Sequence, residues 1–477
     1  MKFSFILALL IAGISGDSSK AIAQSAGGFT ATGNMTMPRE GHTATLLTDG
    51  RVLITGGFPA SATAELYDPA TGTFAAAGRM ITGRVSHAAI LLSDGRVLII
   101  GGNAGTTAEL FDPITETFTP AGDMTGSWAI PILLNNGKVF IAAIPNAEIY
   151  DPATGTFTAT VPYAGANPLG LSTATLLADG RVLITGCTSP CDYDVDLTEL
   201  YDPATGTFTL TGAMANRSAS GERTATLLTN GKVLFAGGEN EDYFYASAEL
   251  YDSSTGTFTA TRDMTHARHA HTATLLPDGE VLITGGGIEL VPPFGTYASA
   301  ELYDPSSGSF SPSGNMTARR SYHRAILLND GRVLITGGVY WDSIPGPPTG
   351  TLASADLYTP PVLTPAPVLI SISGDGRGQG AVWHADTGQI ASADNPAAVG
   401  EVLAMYTTSL ADGGMIPPRV VIDGRLAEIL FFGAAPGYSG YSQVNFRVPG
   451  GVGPGTAVSV RLSYLSRFSN EVTMGVQ

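Results

Sequence analysis

Charge is scarce in this chain. Asp, Glu, Lys and Arg make up 14% of its 477 residues, with 24 Lys or Arg against 41 Asp or Glu, and the formal net charge is −17. Nucleic acids and anionic membranes are recognised through clustered basic side chains, so this balance excludes both as partners. Cysteine is rarer still. The two present, Cys187 and Cys191, stand in G-C-T-S-P-C-D. No histidine accompanies them, which makes a metal site weak, whereas an oxidising compartment permits a local disulfide contributing about 2 kcal/mol. The N-terminal apolar run, Phe3 to Ile14, is too short to span a bilayer. It follows Met1-Lys2 and precedes Ala21-Ile22-Ala23, the pattern of a secretory signal cut after Ala23. The expectation is an exported protein with no membrane insertion. Its length calls for two domains rather than one core.

Repetition is abundant. A unit of the form H-T-A-T-L-L-x-D-G-R-V-L-I-T-G-G, a variable stretch, then A-E-L-Y-D-P-A-T-G-T-F, recurs seven times. Its turn glycine falls at Gly50, Gly95, Gly137, Gly180, Gly231, Gly279 and Gly331, at intervals of 42 to 52 residues. Each unit reads as four short strands. Asp-Gly or Asn-Gly between apolar runs marks a hairpin, and D-P-A-T-G marks a second turn. A period in this range predicts an all-β fold, a seven-bladed propeller over residues 24–360. The seventh unit lacks T-G-T-F, and Gly28-Phe29-Thr30-Ala31-Thr32 supplies that pattern. Residues 28–32 are therefore expected to close the last blade, hiding the open edges. Residues 361–367 form a proline-rich linker. From 368 to 477 the repeat stops, and alternation such as Val458-Ser459-Val460-Arg461-Leu462 predicts a small β-sandwich.

Two recurrent sets of side chains are candidates for chemistry. The residue that opens the first strand is His42, His87, Ala129, Ser172, Arg223, His271 and His323 in successive units. His42, His87, His271 and His323 belong to units adjacent around a closed ring, and His266 and His269 lie close by in sequence. They could hold a metal at the channel mouth, or pack and hydrogen-bond between blades. The carboxylates Glu65, Glu109, Glu148, Glu199, Glu249, Glu301 and Asp356 recur in the third strand. Their expected role is structural pairing with the base of D-G-R-V, such as Arg51 or Arg96. The stretches after Gly-Gly are longest in units four to seven. They carry Tyr193, Tyr243, Phe244, Tyr245, Phe294, Tyr297, Tyr340 and Trp341, all expected on one end of the ring. Aromatic rings among polar loops suit a glycan or protein surface.

These units resemble the kelch family of β-propellers, and within it the central domain of galactose-oxidase-like proteins. The segment Ser321-Tyr322-His323-Arg324 before Asp330-Gly331-Arg332-Val333 is similar to the last blade of those copper-radical oxidases, where tyrosine and histidine bind copper. The resemblance implies Tyr322 and His323 as ligands, with His42 or His271. The oxidases also need a cysteine crosslinked to a second ligand tyrosine near the first blades, where this chain has Arg39-Glu40-Gly41-His42-Thr43. Gly378-Gln379-Gly380-Ala381, Asn395-Pro396-Ala397-Ala398, Gly437-Tyr438-Ser439-Gly440-Tyr441-Ser442-Gln443-Val444-Asn445 and Ser469-Asn470-Glu471-Val472 resemble an Ig-like C-terminal domain of exported bacterial proteins. The departures around cysteine lead to a cofactor-free, non-catalytic recognition protein as the main expectation. It would bind an extracellular glycan or envelope protein through the loops of units four to seven, with Tyr322 among its contacts. A secreted copper oxidase acting on alcohols or sugars is the alternative.

Overall fold

The computed structural model describes residues 27–477 except 60–61, 166–169, 188–195, 215–221, 240–243, 289–294, 342–348, 411–414 and 437. The fold is all-β; one 3-10 turn at Gly102–Ala104 is the helical element among the described residues. None of them forms a helix long and apolar enough to cross a membrane. The expected signal at 1–23 and the expected partner of Cys187, Cys191, lie outside this set. The chain divides into two compact units, one built from residues 26–328 and 332–361, the other containing 362–477.

The first unit contains seven four-stranded antiparallel sheets among the described residues. The first sheet shows the pattern, with strands Thr43–Leu46, Val52–Thr55, Thr63–Asp68 and Thr73–Arg79 in that order. Gly50 takes φ 90°, the left-handed turn that a Cβ would disfavour. Asp68 caps the second turn, its carboxylate accepting from Ala70 N at 2.8 Å and its carbonyl from Gly72 N at 2.8 Å. The second strand is buried at every position. Tyr67 of the third strand and Phe74 of the fourth meet with ring centroids 4.8 Å apart. The same pair recurs as Phe111–Phe118, Tyr150–Phe157, Tyr201–Phe208, Tyr251–Phe258 and Tyr303–Phe310, always within 4.7–4.9 Å.

In the seventh sheet the fourth strand is Gly28–Ala31, antiparallel to Ala355–Thr359. Phe29 sits 4.9 Å from Tyr358, in the place that the T-G-T-F phenylalanine fills elsewhere. The first strands pack side by side in a closed cycle, the seventh against the first.

What joins the sheets is a second use of the repeat. His87, opening the second sheet, bonds through Nε2 to Thr55 Oγ1 of the first sheet at 2.9 Å. His323 bonds Thr284 at 2.9 Å, His271 bonds Thr224 at 3.1 Å, and His42 bonds Thr336 of the seventh sheet at 2.9 Å. The double glycine makes room for this. A Cβ on Gly56 would lie 2.4 Å from Arg84 O and 2.6 Å from His87 Cε1, and Gly337 stands in the same relation to Arg39 and His42. Three residues before each of these histidines is an arginine with no exposed surface: Arg39, Arg84, Arg268 and Arg320.

These arginines correct the expected pairing of the third-strand carboxylates. Arg51 and Arg96 bind Asp49, Glu116 and Asp94 at the turns instead. Glu65 pairs with Arg39 at 2.6 Å, Glu109 with Arg84 at 3.1 Å, Glu301 with Arg268 at 2.9 Å and Asp356 with Arg320 at 3.1 Å. Arg84 also donates to Gly101 O, Thr107 O and Thr107 Oγ1, so its fork is fully engaged. Asp356 is one methylene shorter than glutamate, and Arg320 Nε is left buried without a partner. Where the connector has no arginine, backbone takes its place. Glu148 accepts from Thr125 N and Gly126 N, and Glu199 from Ala164 N and Gly165 N.

The second unit is a pair of antiparallel sheets. One has the order Val382–His384, Val402–Thr407, Ser442–Arg447, Glu428–Ala434; the other is built on Arg419–Ile422 and Gly455–Tyr464. Leu403, Met405, Val444 and Phe446 of the first meet Val420, Ile422, Val460 and Leu462 of the second in one apolar core.

Two measurements test this assembly. Arg84→Ala leaves Glu109 buried without its counter-charge and is expected to cost about 3–5 kcal/mol in chemical denaturation; a loss below about 1 kcal/mol would show the pair to be dispensable. The second concerns pH. Burial first, then Arg84 and Arg324, hold His87 down at about 3; burial, then Arg268 and His269, hold His271 at about 3. Burial foremost also pushes His42 and His323 well below the usual range. The unfolded chain takes up these protons near pH 6.5 and the folded one does not. The stability is therefore present above pH 6.5 and drains away toward pH 3, by about 1.4 kcal/mol per pH unit for each histidine. The melting temperature of the propeller-like unit should fall steadily from pH 7 to 4, and less steeply in a His87→Gln/His271→Gln variant.

Candidate functional site

The residues that open the first strands follow a backbone rule. The position just before the residue that opens the first strand, histidine in four sheets and Arg223 in the fifth, is left-handed: Gly41 at φ 60°, Ser86 at 53°, Glu222 at 60°, Ala270 at 50° and Tyr322 at 52°. For a bulky side chain this conformation carries strain, of order 1 kcal/mol or more. Tyr322 is held in it by its own N–H, which donates to Ala270 O at 3.1 Å. The neighbouring segments are tied to the loops after Gly-Gly by single bridges, His269 to Gly287 and Ser321 to Val339.

This places four rings in a row. Phe244 stacks on His269 at 4.6 Å, His269 meets Tyr322 edge-on at 6.3 Å, and Tyr322 meets Trp341 at 6.3 Å. The row crosses from the fifth sheet to the seventh. His269 is buried, while Phe244, Tyr322 and Trp341 are half-buried. Glu239, directly after Gly237-Gly238, brings Oε2 to 3.8 Å from His269 Nδ1. Trp341 N donates to Thr296 Oγ1 at 3.0 Å, which fixes the far end. Tyr297 lies under the Arg268 guanidinium at 5.0 Å and beside His266 at 5.3 Å; Tyr340 lies under Arg319 at 5.9 Å. Tyr245 is half-buried, its backbone bonded to Gly238 and Arg268. Tyr193, Tyr243 and Phe294 lie outside the described residues.

Sequence patterning brought Phe244, Tyr322 and Trp341 to attention but missed two charged residues. Glu239 carried the signal of a lone carboxylate after a double glycine. Arg324 carried the signal of a base where other units have Thr43, Ala88, Thr224 or Thr272. Its Nε donates to His42 O at 2.7 Å, across the junction of the seventh and first sheets. Burial lowers its pKa and the charge of Glu222 counters that.

The copper-ligand set implied by the resemblance is not assembled here. His42, His271 and His323 each direct Nε2 at a threonine hydroxyl in a separate sheet junction. Cys187 ends a strand of the fourth sheet and is disulfide-bonded, which leaves it no thiol for a tyrosine crosslink. Among the described residues no group of three or more His, Cys, Asp and Glu converges. A copper ion would have to recruit tyrosine, and the neighbouring donor residues are Tyr322, whose ring centroid lies 6.3 Å from that of His269, His269 itself, and Glu239, whose carboxylate lies 3.8 Å from the imidazole. Phenolate, imidazole and carboxylate suit copper(II) in kind.

No protein-family model matches the sequence, and no curated protein does. Among solved structures, a fungal alcohol oxidase of the AA5 family in complex with copper superposes with a TM-score of 0.60 at 16% identity, covering 95% of this chain and 100% of the other. At that identity the likeness shows the fold, an all-β architecture of the galactose-oxidase type. It also corrects the main expectation. A cofactor-free, non-catalytic recognition protein is not what this comparison favours; a protein sharing the architecture over nearly the whole chain is a copper-containing oxidase, which was the alternative.

Proposed function

We propose that this chain is an exported oxidase with a seven-bladed kelch propeller and an Ig-like C-terminal sandwich, acting on a primary alcohol or a sugar hydroxyl. In this reading residues 1–23 are the export signal, and Cys187 and Cys191 form a local disulfide. The observation that carries the proposal is His269, with the Glu239 carboxylate at 3.8 Å and the Tyr322 ring at 6.3 Å, inside a row of aromatic rings. The fold likeness to a copper alcohol oxidase supports it.

The reaction converts an alcohol and dioxygen into an aldehyde and hydrogen peroxide, moving two electrons and two protons. Copper, if held by Tyr322, His269 and Glu239, would take one of the two electrons, and the adjoining Tyr322–Trp341 ring pair would have to take the other before both pass to dioxygen. The protein does the rest. Phe244 and Trp341 close the two ends of the ring row and offer flat apolar faces to the C–H side of a sugar. Tyr322 stands to receive the hydroxyl proton, its direction fixed by the left-handed backbone.

Copper content and peroxide output test this together. Copper-loaded protein is expected to hold about one copper per chain and to release peroxide from simple alcohols or galactose. His269→Ala should lose the metal, while His323→Ala should keep it and lower the melting temperature. The reverse pattern would restore the ligand set of the resemblance, and stoichiometric copper with no peroxide from any alcohol would end the oxidase reading. Tyr322→Gly relieves the backbone strain, so its melting temperature should stay level or rise while peroxide output falls at least about 100-fold.

A further inference from the structure

The C-terminal sandwich carries a second aromatic surface, independent of the oxidase site. In its first sheet the strands Val382–His384, Val402–Thr407, Ser442–Arg447 and Glu428–Ala434 lie side by side. Register aligns Trp383 with Ala404, Ala404 with Asn445, and Asn445 with Phe431. The row on one side pairs Tyr406 with Gln443 and Gln443 with Gly433, and the row on the other side pairs Val402 with Arg447 and Arg447 with Glu428. Alternation assigns these residues to the face turned away from the shared core, since Leu403, Met405, Val444 and Phe446 fill that core. A bulge between Ile429 and Phe431 re-aims the edge strand. Ile429 and Phe432 both pack on the core, three residues apart, and Phe431 is turned out at 45% exposure.

The outer face has its own aromatic layer. Trp383 is buried with Ile370 and Ala381 and serves as the floor of the layer; it meets the half-buried Tyr406 edge-on at 5.3 Å, and Tyr406 meets Tyr438 edge-on at 6.2 Å. Tyr441 packs against the same cluster. Amides run beside the rings, with Gln443 Nε2 donating to Asn445 Oδ1 at 2.8 Å. That bond leaves Gln443 Oε1 and Asn445 Nδ2 directed elsewhere. The charged pair in the last row, Arg447 Nε to Glu428 Oε2 at 2.9 Å, neutralises itself.

We infer that this face binds a neutral polysaccharide chain. Aromatic faces and edges pack on the apolar side of sugar rings, and the interleaved amides meet the hydroxyls. A face with no net charge offers nothing to an anionic lipid or an acidic peptide, and amides at its centre disfavour a dry apolar partner. Two interstrand steps from the Tyr406 strand to the Phe431 strand span about 10 Å, room for about two linked sugars. Such a surface would hold the full chain on a glycan whether or not the ring row at Tyr322 oxidises it, so binding and oxidation are read separately.

The test is affinity gel electrophoresis of the full chain in gels containing hydroxyethyl cellulose, xylan or galactomannan, with phosphatidylcholine vesicles as a control. At least one polysaccharide should retard the wild type. Phe431→Ala and Gln443→Ala should each weaken that retardation at least about tenfold, at an unchanged melting temperature and with unchanged peroxide output on a small alcohol. No retardation by any of the three, equal retardation of wild type and both variants, or capture by vesicles alone would overturn the inference. Loss of peroxide output with retention of polysaccharide binding would count against the oxidase site and leave this surface standing.

Discussion

A guanidinium with no exposed surface organises the first unit. Arg39, Arg84, Arg268 and Arg320 each tie the connector that precedes a sheet to that sheet's own third strand. Each also donates to the carbonyl of the first glycine of its sheet's Gly-Gly, as Arg39 does to Gly56 O and Arg84 to Gly101 O. The backbone carbonyl of the same arginine then abuts the Gly-Gly of the preceding sheet, and the histidine three residues on reaches a threonine there. One arginine thus fixes a connector, a loop root and a sheet junction at once. Buried charge of this kind tolerates no partial removal, because each carboxylate depends on its single counter-ion.

This arrangement is uneven around the ring. It is complete where the sixth, seventh, first and second sheets begin, and absent where the third and fourth begin. The aromatic row sits over the well-fastened side, between the fifth and seventh sheets. Strain at Tyr322 persists there because the surrounding hydrogen bonds over-determine its backbone. The site proposed for this row would gain from rigid roots more than from rigid loops.

Much of the architecture was readable from the residues. Asp-Gly turns, the buried V-L-I-T strand and the Tyr–Phe pairs follow from local chemistry repeated in each unit, and they gave an all-β fold of four-stranded sheets. The partners of the glutamates were not readable in the same way. Arg51 lies close in sequence and looked sufficient, whereas Arg39 is 26 residues from Glu65 and meets it only once the connector folds back. The offset between Arg39 and His42, kept by Arg84 and His87, was the available clue. Site residues divided similarly. Aromatic content marked the loops, but Glu239 and His269 come together only through three-dimensional packing. The main functional expectation failed because it weighed a missing cysteine against a fold that oxidases share.

The seventh sheet joins Gly28–Ala31 to Ala355–Thr359. A strand made among the earliest must therefore wait for a partner made more than three hundred residues later. Non-local pairing of this kind is slow, and until it happens the nascent molecule carries an unzipped seam of bare hydrogen-bonding groups. The stretch of synthesis between those two segments is when this chain is most open to self-association, and any chaperone it needs should act in that interval.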